Sequence, residues 1–256
     1  MNANSRIFES PSTSQDTESA LPADGKSFQS ENNSGSFVTI ETPNTTLRPS
    51  QIRAVIMDYG EVLCLLPSSQ DVDRIAKIFR MNPQSFLPIY MKSRMLYDRG
   101  DVSPAEYWDN FAAQAGVKID AVALEDIRRL DIEMWCRHNE RMIRWVEQIH
   151  SAGYKTAILS NMHLDLSTHL RKNFSWIGHF DHHIFSAEAR SVKPEPAIYQ
   201  RTIEALGVKP AEALFIDDRD ENLKEARVAG IRTIRFQSIP KLREDLQSLG
   251  FTILPG

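Results

Sequence analysis

Three apolar runs of four residues set the frame of this chain: AVIM at 54–57, TAIL at 156–159 and ALFI at 213–216. Each is too short for a helix and shows no polar alternation. That is how a strand covered on both faces reads, as in a parallel sheet with helices on either side. HHIF (182–185) and RTIRF (232–236) add two weaker strands. The three strongest runs all stop at polar residues: Asp58, Ser160-Asn161 and Asp217-Asp218. In an open parallel sheet the carboxyl ends of the strands share one edge, and ligands bind in the crevice beyond it.

Helical periodicity fills the intervals. Helices are predicted over 164–174, 196–206, 220–229 and 239–249, with Gly207, Gly230 and Gly250 closing the last three. A far longer helical stretch separates the first strand from the second. It predicts helices over 70–80, 83–98, a capping-box helix opened by Ser103 and Glu106, then 121–136 and 139–152. A parallel crossover needs only about a dozen residues, so the excess reads as a helical cap. The expected organisation is an α/β core from 50–66 and 147–256, with an all-helical cap inserted at 67–146. Residues 1–49, rich in Ser, Thr, Asn, Asp and Pro, read as a disordered tail that cannot bury enough apolar surface to offset its ordering entropy.

Composition narrows the function. A net charge of −4 gives no nucleic-acid footprint. No run approaches the roughly 20 apolar residues that a membrane span requires. Cys64 and Cys136 are too few for a disulfide framework, so a reducing, cytoplasmic setting is expected. No GxGxxG follows a strand and no GxxxxGK[ST] occurs, so neither a dinucleotide nor a triphosphate loop is expected.

The strand ends carry the chemistry. Carboxylates that meet at one edge repel each other and rise in pKa unless a cation holds them. Oxygen donors favour Mg²⁺ over zinc. A lone Asp58 would read as a cap just outside a strand; three polar strand ends in one chain read as a site.

VIMDYGEVL, AILSN, SVKPEPAIY and LFIDDRDENLKEA together resemble the four motifs of the haloacid dehalogenase-like hydrolase superfamily, in order and in approximate spacing. The resemblance spans roughly 51–252, and YDRGDVSPAEYW in the insertion resembles the subgroup capped after the first strand. It implies a Rossmann-like core and a Mg²⁺-dependent phosphatase acting on a small phosphorylated metabolite. In the roles it implies, Asp58 is the nucleophile that forms an aspartyl-phosphate, and Ser160 and Asn161 bind and orient the phosphoryl group. Lys193 neutralises charge. Asp58, the Gly60 carbonyl and Asp218, with Asp217, hold the metal, and Asn222 supports that shell.

One position departs from the pattern. Most phosphatases of this superfamily carry a second Asp two residues after the first, as the acid and base of the reaction; here that position is Gly60. General acid–base help is worth about 10²–10⁴-fold, so three readings stand. In the first, the chain is a phosphatase in which water, Glu61 or a cap residue replaces the acid; members resembling bacterial sugar-1-phosphate phosphatases share the Asp-x-Gly pattern. In the second, it is a haloacid dehalogenase using Asp58 without metal, which Asp217-Asp218 argue against. In the third, it is a phosphate-binding module without turnover.

Other polar residues read as structural. His182 and His183 point to opposite faces of a strand and make no zinc site. His163 reads as a solvated loop histidine and Cys64 as a small packing residue. Trp108, Phe111 and Trp135 read as cap core. Asp98 and Arg99 could face the cleft, although a surface turn is the stronger reading.

Overall fold

The computed structural model describes residues 51–256; the expected tail at 1–49 lies outside the described residues. The chain enters through β1 (Ala54–Met57) and a single wide turn at Tyr59–Leu63. Six helices follow: α1 (Ser69–Ile78), α2 (Pro83–Ser93), α3 (Met95–Arg99), α4 (Pro104–Gln114), α5 (Ala121–Met134) and α6 (Glu140–Ser151). The remainder alternates as β2 (Lys155–Ser160), α7 (Leu164–Asn173), β3 (His182–Phe185), α8 (Ser186–Ala189), α9 (Pro196–Leu206), β4 (Ala213–Asp217), α10 (Asp220–Val228), β5 (Arg232–Arg235) and α11 (Ile239–Ser248).

All five strands are parallel, in the order β3-β2-β1-β4-β5. The fold is therefore the expected α/β core with a helical insertion after β1. β1 is central, and the chain crosses to β2 on one side and to β4 on the other. That reversal opens a crevice at the carboxyl end of β1. The register brings the chemistry there, because Met57 pairs with both Ile158 and Ile216. Asp58, Ser160 and Asp217 consequently leave the sheet at one edge.

Strand alternation divides the apolar residues between two faces. Ala54, Ile56, Leu159 and Phe215 pack with Ile198 and Tyr199 of α9 and Leu223 of α10. Val55, Met57, Ile158 and Ile216 belong to a second cluster with Trp145 and Ile149 of α6 and Leu246 of α11. Within the insertion, Phe79, Phe86, Trp108 and Phe111 form an aromatic cluster, with Phe79 and Phe111 rings 4.7 Å apart edge to face. Trp108 and Phe111 are buried, as the helical stripe predicts.

The single helix predicted over 83–98 divides at Arg94, whose φ of −70° and ψ of −21° give a tighter local turn between α2 and α3. Gly100 then ends α3 at a φ of 80°. It also lets the insertion lie against the core: a Cβ there would stand 3.0 Å from the Ala187 carbonyl oxygen of α8. The Ser186 hydroxyl donates to the Asp98 carbonyl across the same junction (2.5 Å).

Gly60 differs from Gly100 on both counts. Its φ of −60° suits any L-residue, and a Cβ there meets nothing within 4 Å. Gly100→Ala is expected to destabilise the protein by about 1–2 kcal/mol through its left-handed backbone alone, with the α8 clash adding to that. Gly60→Ala should be neutral or stabilising by up to about 1 kcal/mol. Urea unfolding of the two variants checks this; equal losses would show that the backbone argument is wrong.

Candidate active site

Asp58 is the first residue past β1 and caps the turn that follows. Its backbone N–H donates to the Ile216 carbonyl (2.9 Å), tying it to β4. Its Oδ1 accepts from the Tyr59 N–H (2.6 Å) and from Lys193 Nζ (2.8 Å). With Oδ1 so engaged, Oδ2 has lone pairs to spare.

Lys193 bridges the cluster. Its ammonium is 4% exposed as a residue and lies 2.8 Å from Asp58 Oδ1 and 2.7 Å from Asp217 Oδ2. Burial alone would lower its pKa, but Asp217 and Asp58 together hold it above the ordinary lysine value. The loop carrying it is pinned by Asn161, whose Oδ1 accepts from the Lys193 N–H (2.7 Å) and whose Nδ2 donates to the Lys193 carbonyl (2.9 Å). On the other side, Glu195 accepts from the Ser191 hydroxyl (2.9 Å) and the Val192 N–H (3.2 Å). The Asn161 side chain is thus engaged with the lysine loop, and Ser160, at the end of β2, lines the cleft beside it.

The two adjacent aspartates are placed differently. Asp217 is fully buried, and its acceptors are filled by the Arg219 N–H (2.8 Å), Lys193 Nζ (2.7 Å) and Asn222 Nδ2, which lies 3.0 Å from each oxygen. Asp218 is only half-buried and lines the cleft together with Asp58, Gly60 and Glu61.

Ligand atoms of Asp58, Asp217 and Asp218 lie within 4.8 Å of one another. Three carboxylates against one ammonium leave negative charge uncompensated. Burial first, and then the neighbouring aspartates, push Asp218 up to about 7. Asp58 is pushed up to about 6, mainly by burial and by Asp217, against the pull of Lys193. A hard divalent cation fits this all-oxygen set, because it would supply the missing charge.

Asp58, Ser160, Asn161, Lys193 and Asp218 line one cleft of about 410 Å³ between the sheet edge and the insertion. The sequence model of the haloacid dehalogenase-like hydrolases matches residues 52–230. The chain belongs to this family. Its helical cap, α1–α6 between β1 and β2, places it in the subgroup capped at that point.

Among relatives of the family, bifunctional epoxide hydrolase 2 of Rattus norvegicus is 32% identical over 121 residues, covering 46% of this chain and 22% of that protein. The phosphoglycolate phosphatase of Aquifex aeolicus is 31% identical over 88 residues, 34% of this chain and 41% of its own. The chain thus spans well under half the length of these relatives, and a bacterial (S)-2-haloacid dehalogenase matches as well. A family enzyme from Bacteroides thetaiotaomicron, solved with magnesium and inorganic phosphate, shares the fold. It aligns with a TM-score of 0.59 and 24% identity over 73% of this chain and 94% of its own.

The cap contributes a buried polar network to this family member that the sequence reading missed. Arg94 donates to Asp98 through Nε (3.1 Å) and Nη2 (2.7 Å), and to Asp131 through Nη1 (3.3 Å). Asp131 is fully buried, and its Oδ2 lies 3.2 Å from His163 Nε2, a close ion-pair contact that is poorly aligned as a hydrogen bond. His163 is 1% exposed and stacks on Tyr97 at 4.5 Å, so the solvated-loop reading of it fails. The α5–α7 packing encloses it, with Arg128 gripping Asp165 at 2.8 and 3.1 Å. The surface-turn reading of Asp98 fails for the same reason, since Arg94 draws it inside. One signal was available: Asp131 falls on the buried stripe of Ile127, Leu130 and Met134, where a charge needs a partner.

Trp135 is buried, as core residues are, but it also lines the cleft, as do Asp98 and Arg99. His182 and His183 lie on β3, and the His183 ring approaches the Ile177 carbonyl at 3.0 Å. Cys64 is buried, and burial pushes its thiol well above the ordinary range.

Proton and cation should compete at Asp58 and Asp218. Their folded values exceed the unfolded ones, so their protonation stabilises the cation-free fold at low pH, and that contribution is lost as pH rises through about 6–7. Mg²⁺ replaces those protons, so its stabilising effect should run the opposite way. The Mg²⁺-induced rise in Tm is expected to be large at pH 7.5 and to vanish near pH 5. A rise that is the same at both pH values would mean that these carboxylates do not bind the ion.

Proposed function

We propose that the chain is a Mg²⁺-dependent phosphatase acting on a small phosphorylated substrate. The observation that carries this is the arrangement of Asp58, Asp218 and Lys193, with Ser160 beside them, on one cleft wall. The magnesium and inorganic phosphate bound by the Bacteroides enzyme support the same reading.

Each residue has a part. Asp58 Oδ2 is the nucleophile: it forms the bond to phosphorus as the ester P–O bond breaks, giving an aspartyl-phosphate. Lys193 holds Oδ1 and orients the carboxylate. Ser160 donates to a phosphoryl oxygen, and Asn161 keeps Lys193 in reach. Asp217 anchors Lys193, while Asp58, Asp218 and the Gly60 carbonyl would hold Mg²⁺, which would neutralise charge on the transferring group. Water then attacks phosphorus, the P–Oδ2 bond breaks, and inorganic phosphate leaves.

The leaving oxygen has no aspartate at position 60 to protonate it. Among the other carboxylates lining the cleft, Asp98 is paired with Arg94, Glu195 with Arg99 and the lysine loop, and Glu221 with Arg219. Glu61, at φ 58° on the turn after Asp58, is exposed at the cleft. It or a water supplies the proton. A metal-free dehalogenase reading is weaker, because it leaves Asp218 with no work in the cleft.

Phosphate release from para-nitrophenyl phosphate tests this. Wild type is expected to turn over only with Mg²⁺, and Asp58→Asn to lose at least about 10³-fold. Gly60→Asp, which the open space at that position admits, should raise turnover by up to about 10²–10⁴-fold on esters with poor leaving groups. Turnover that persists in Asp58→Asn would remove the nucleophile assignment. Silence in wild type and Gly60→Asp alike would favour a binding module.

A further inference from the structure

The cap side of the cleft offers a substrate little to hydrogen-bond. Arg94 is engaged by Asp98, by Asp131 and by the Tyr90 hydroxyl. Arg99 donates to Glu195, and Trp135 Nε1 to the Tyr90 hydroxyl (2.9 Å). Once these pairs are made, the apolar cap residues lining the cleft are Met91, Met95 and Trp135, while Met162, Leu166 and Val192 line it from the core.

Two of these residues are unusual for their exposure. Met91 is 48% and Met95 62% exposed at the cleft. Contiguous apolar surface left open to water at a cleft marks a binding surface, and unbranched thioethers suit a variable apolar occupant. Lys92 is the only cleft-lining cap cation without an ion-pair partner among the described residues. A flexible ammonium there attracts an anion.

Resting on the phosphatase reading above, we infer that the preferred substrate is a phosphate monoester whose leaving group is apolar, an aryl or medium-chain alkyl group rather than a sugar. A polyol laid against Met91 and Met95 would give up hydrogen bonds to water there without finding replacements. An alkyl chain would instead bury Met91 and Met95 against itself. The cleft's 410 Å³ leaves room for such a group beyond the phosphate.

Hexyl phosphate and glucose 6-phosphate make the decisive pair, because both are esters of primary alcohols and differ chiefly in polarity. With Mg²⁺ at pH 7.5, kcat/KM is expected to favour hexyl phosphate by at least 10-fold, and Met91→Ser/Met95→Ser to shrink that ratio severalfold. Equal or higher kcat/KM for glucose 6-phosphate would overturn the inference and leave the phosphatase reading intact. If neither ester nor para-nitrophenyl phosphate is hydrolysed, the phosphatase reading fails. Calorimetric Kd values for the same two esters then decide the inference alone: tighter hexyl phosphate supports it, and equal or weaker binding overturns it.

Discussion

The site depends on one buried ammonium. Lys193 stands between Asp58 and Asp217 at 2.8 and 2.7 Å, and all three side chains are almost wholly removed from water. Such an assembly is not a source of net stability, since desolvation consumes most of the attraction. Removing one member is costly, because the charges left behind are stranded; about 3–5 kcal/mol is typical of broken buried pairs. The arrangement therefore persists by mutual constraint. Asn161 grips the Lys193 backbone at both its N–H and its carbonyl, and Asn222 grips both oxygens of Asp217. The ends of three strands and two loops are thereby locked to each other before any ligand arrives, which is the preorganisation that phosphoryl transfer requires.

That locking separates two residues that the sequence presents as equivalents. Asp217 and Asp218 are neighbours, but the last position of β4 points one carboxylate into the protein and the next turns the other to the cleft. Asp217 is saturated by donors and Asp218 is not. The alternation of a strand continued by one residue is enough to give one aspartate to the lysine and leave the other for a cation.

What the sequence made legible is what is local in the chain. Apolar runs of four residues announced the strands, and the polar residues that stop them announced the edge where they meet. Gly207, Gly230 and Gly250 marked the ends of helices because each sits at positive φ. The cap network was hidden, because Arg94, Asp131 and His163 are distant along the chain and meet only when α5 packs against α7. Read singly, His163 is a loop residue and Asp98 a turn residue. Partners supplied by packing made both buried. The break at Arg94 was hidden for a similar reason, since periodicity runs through it unchanged.

Gly60 shows where structure adds what the sequence could not. A glycine beside a nucleophile invites a steric reason, such as positive φ or a close approach of other atoms. Neither applies here: the backbone is extended at φ −60° and ψ 132°, and the space for a Cβ is empty. The strained residue of the turn is its neighbour Glu61, held at φ 58° without being glycine. Backbone demands therefore do not explain the glycine. An added carboxylate would join a cluster in which Asp58 and Asp218 already titrate well above their ordinary values. It would also place a charged, water-binding group in a cleft that exposes the thioethers of Met91 and Met95. Under the proposed phosphatase reading, a site with Asp58, Lys193 and Asp218 in place but no acid at position 60 suits an ester whose leaving oxygen needs little help, or one for which Glu61 or a water provides it.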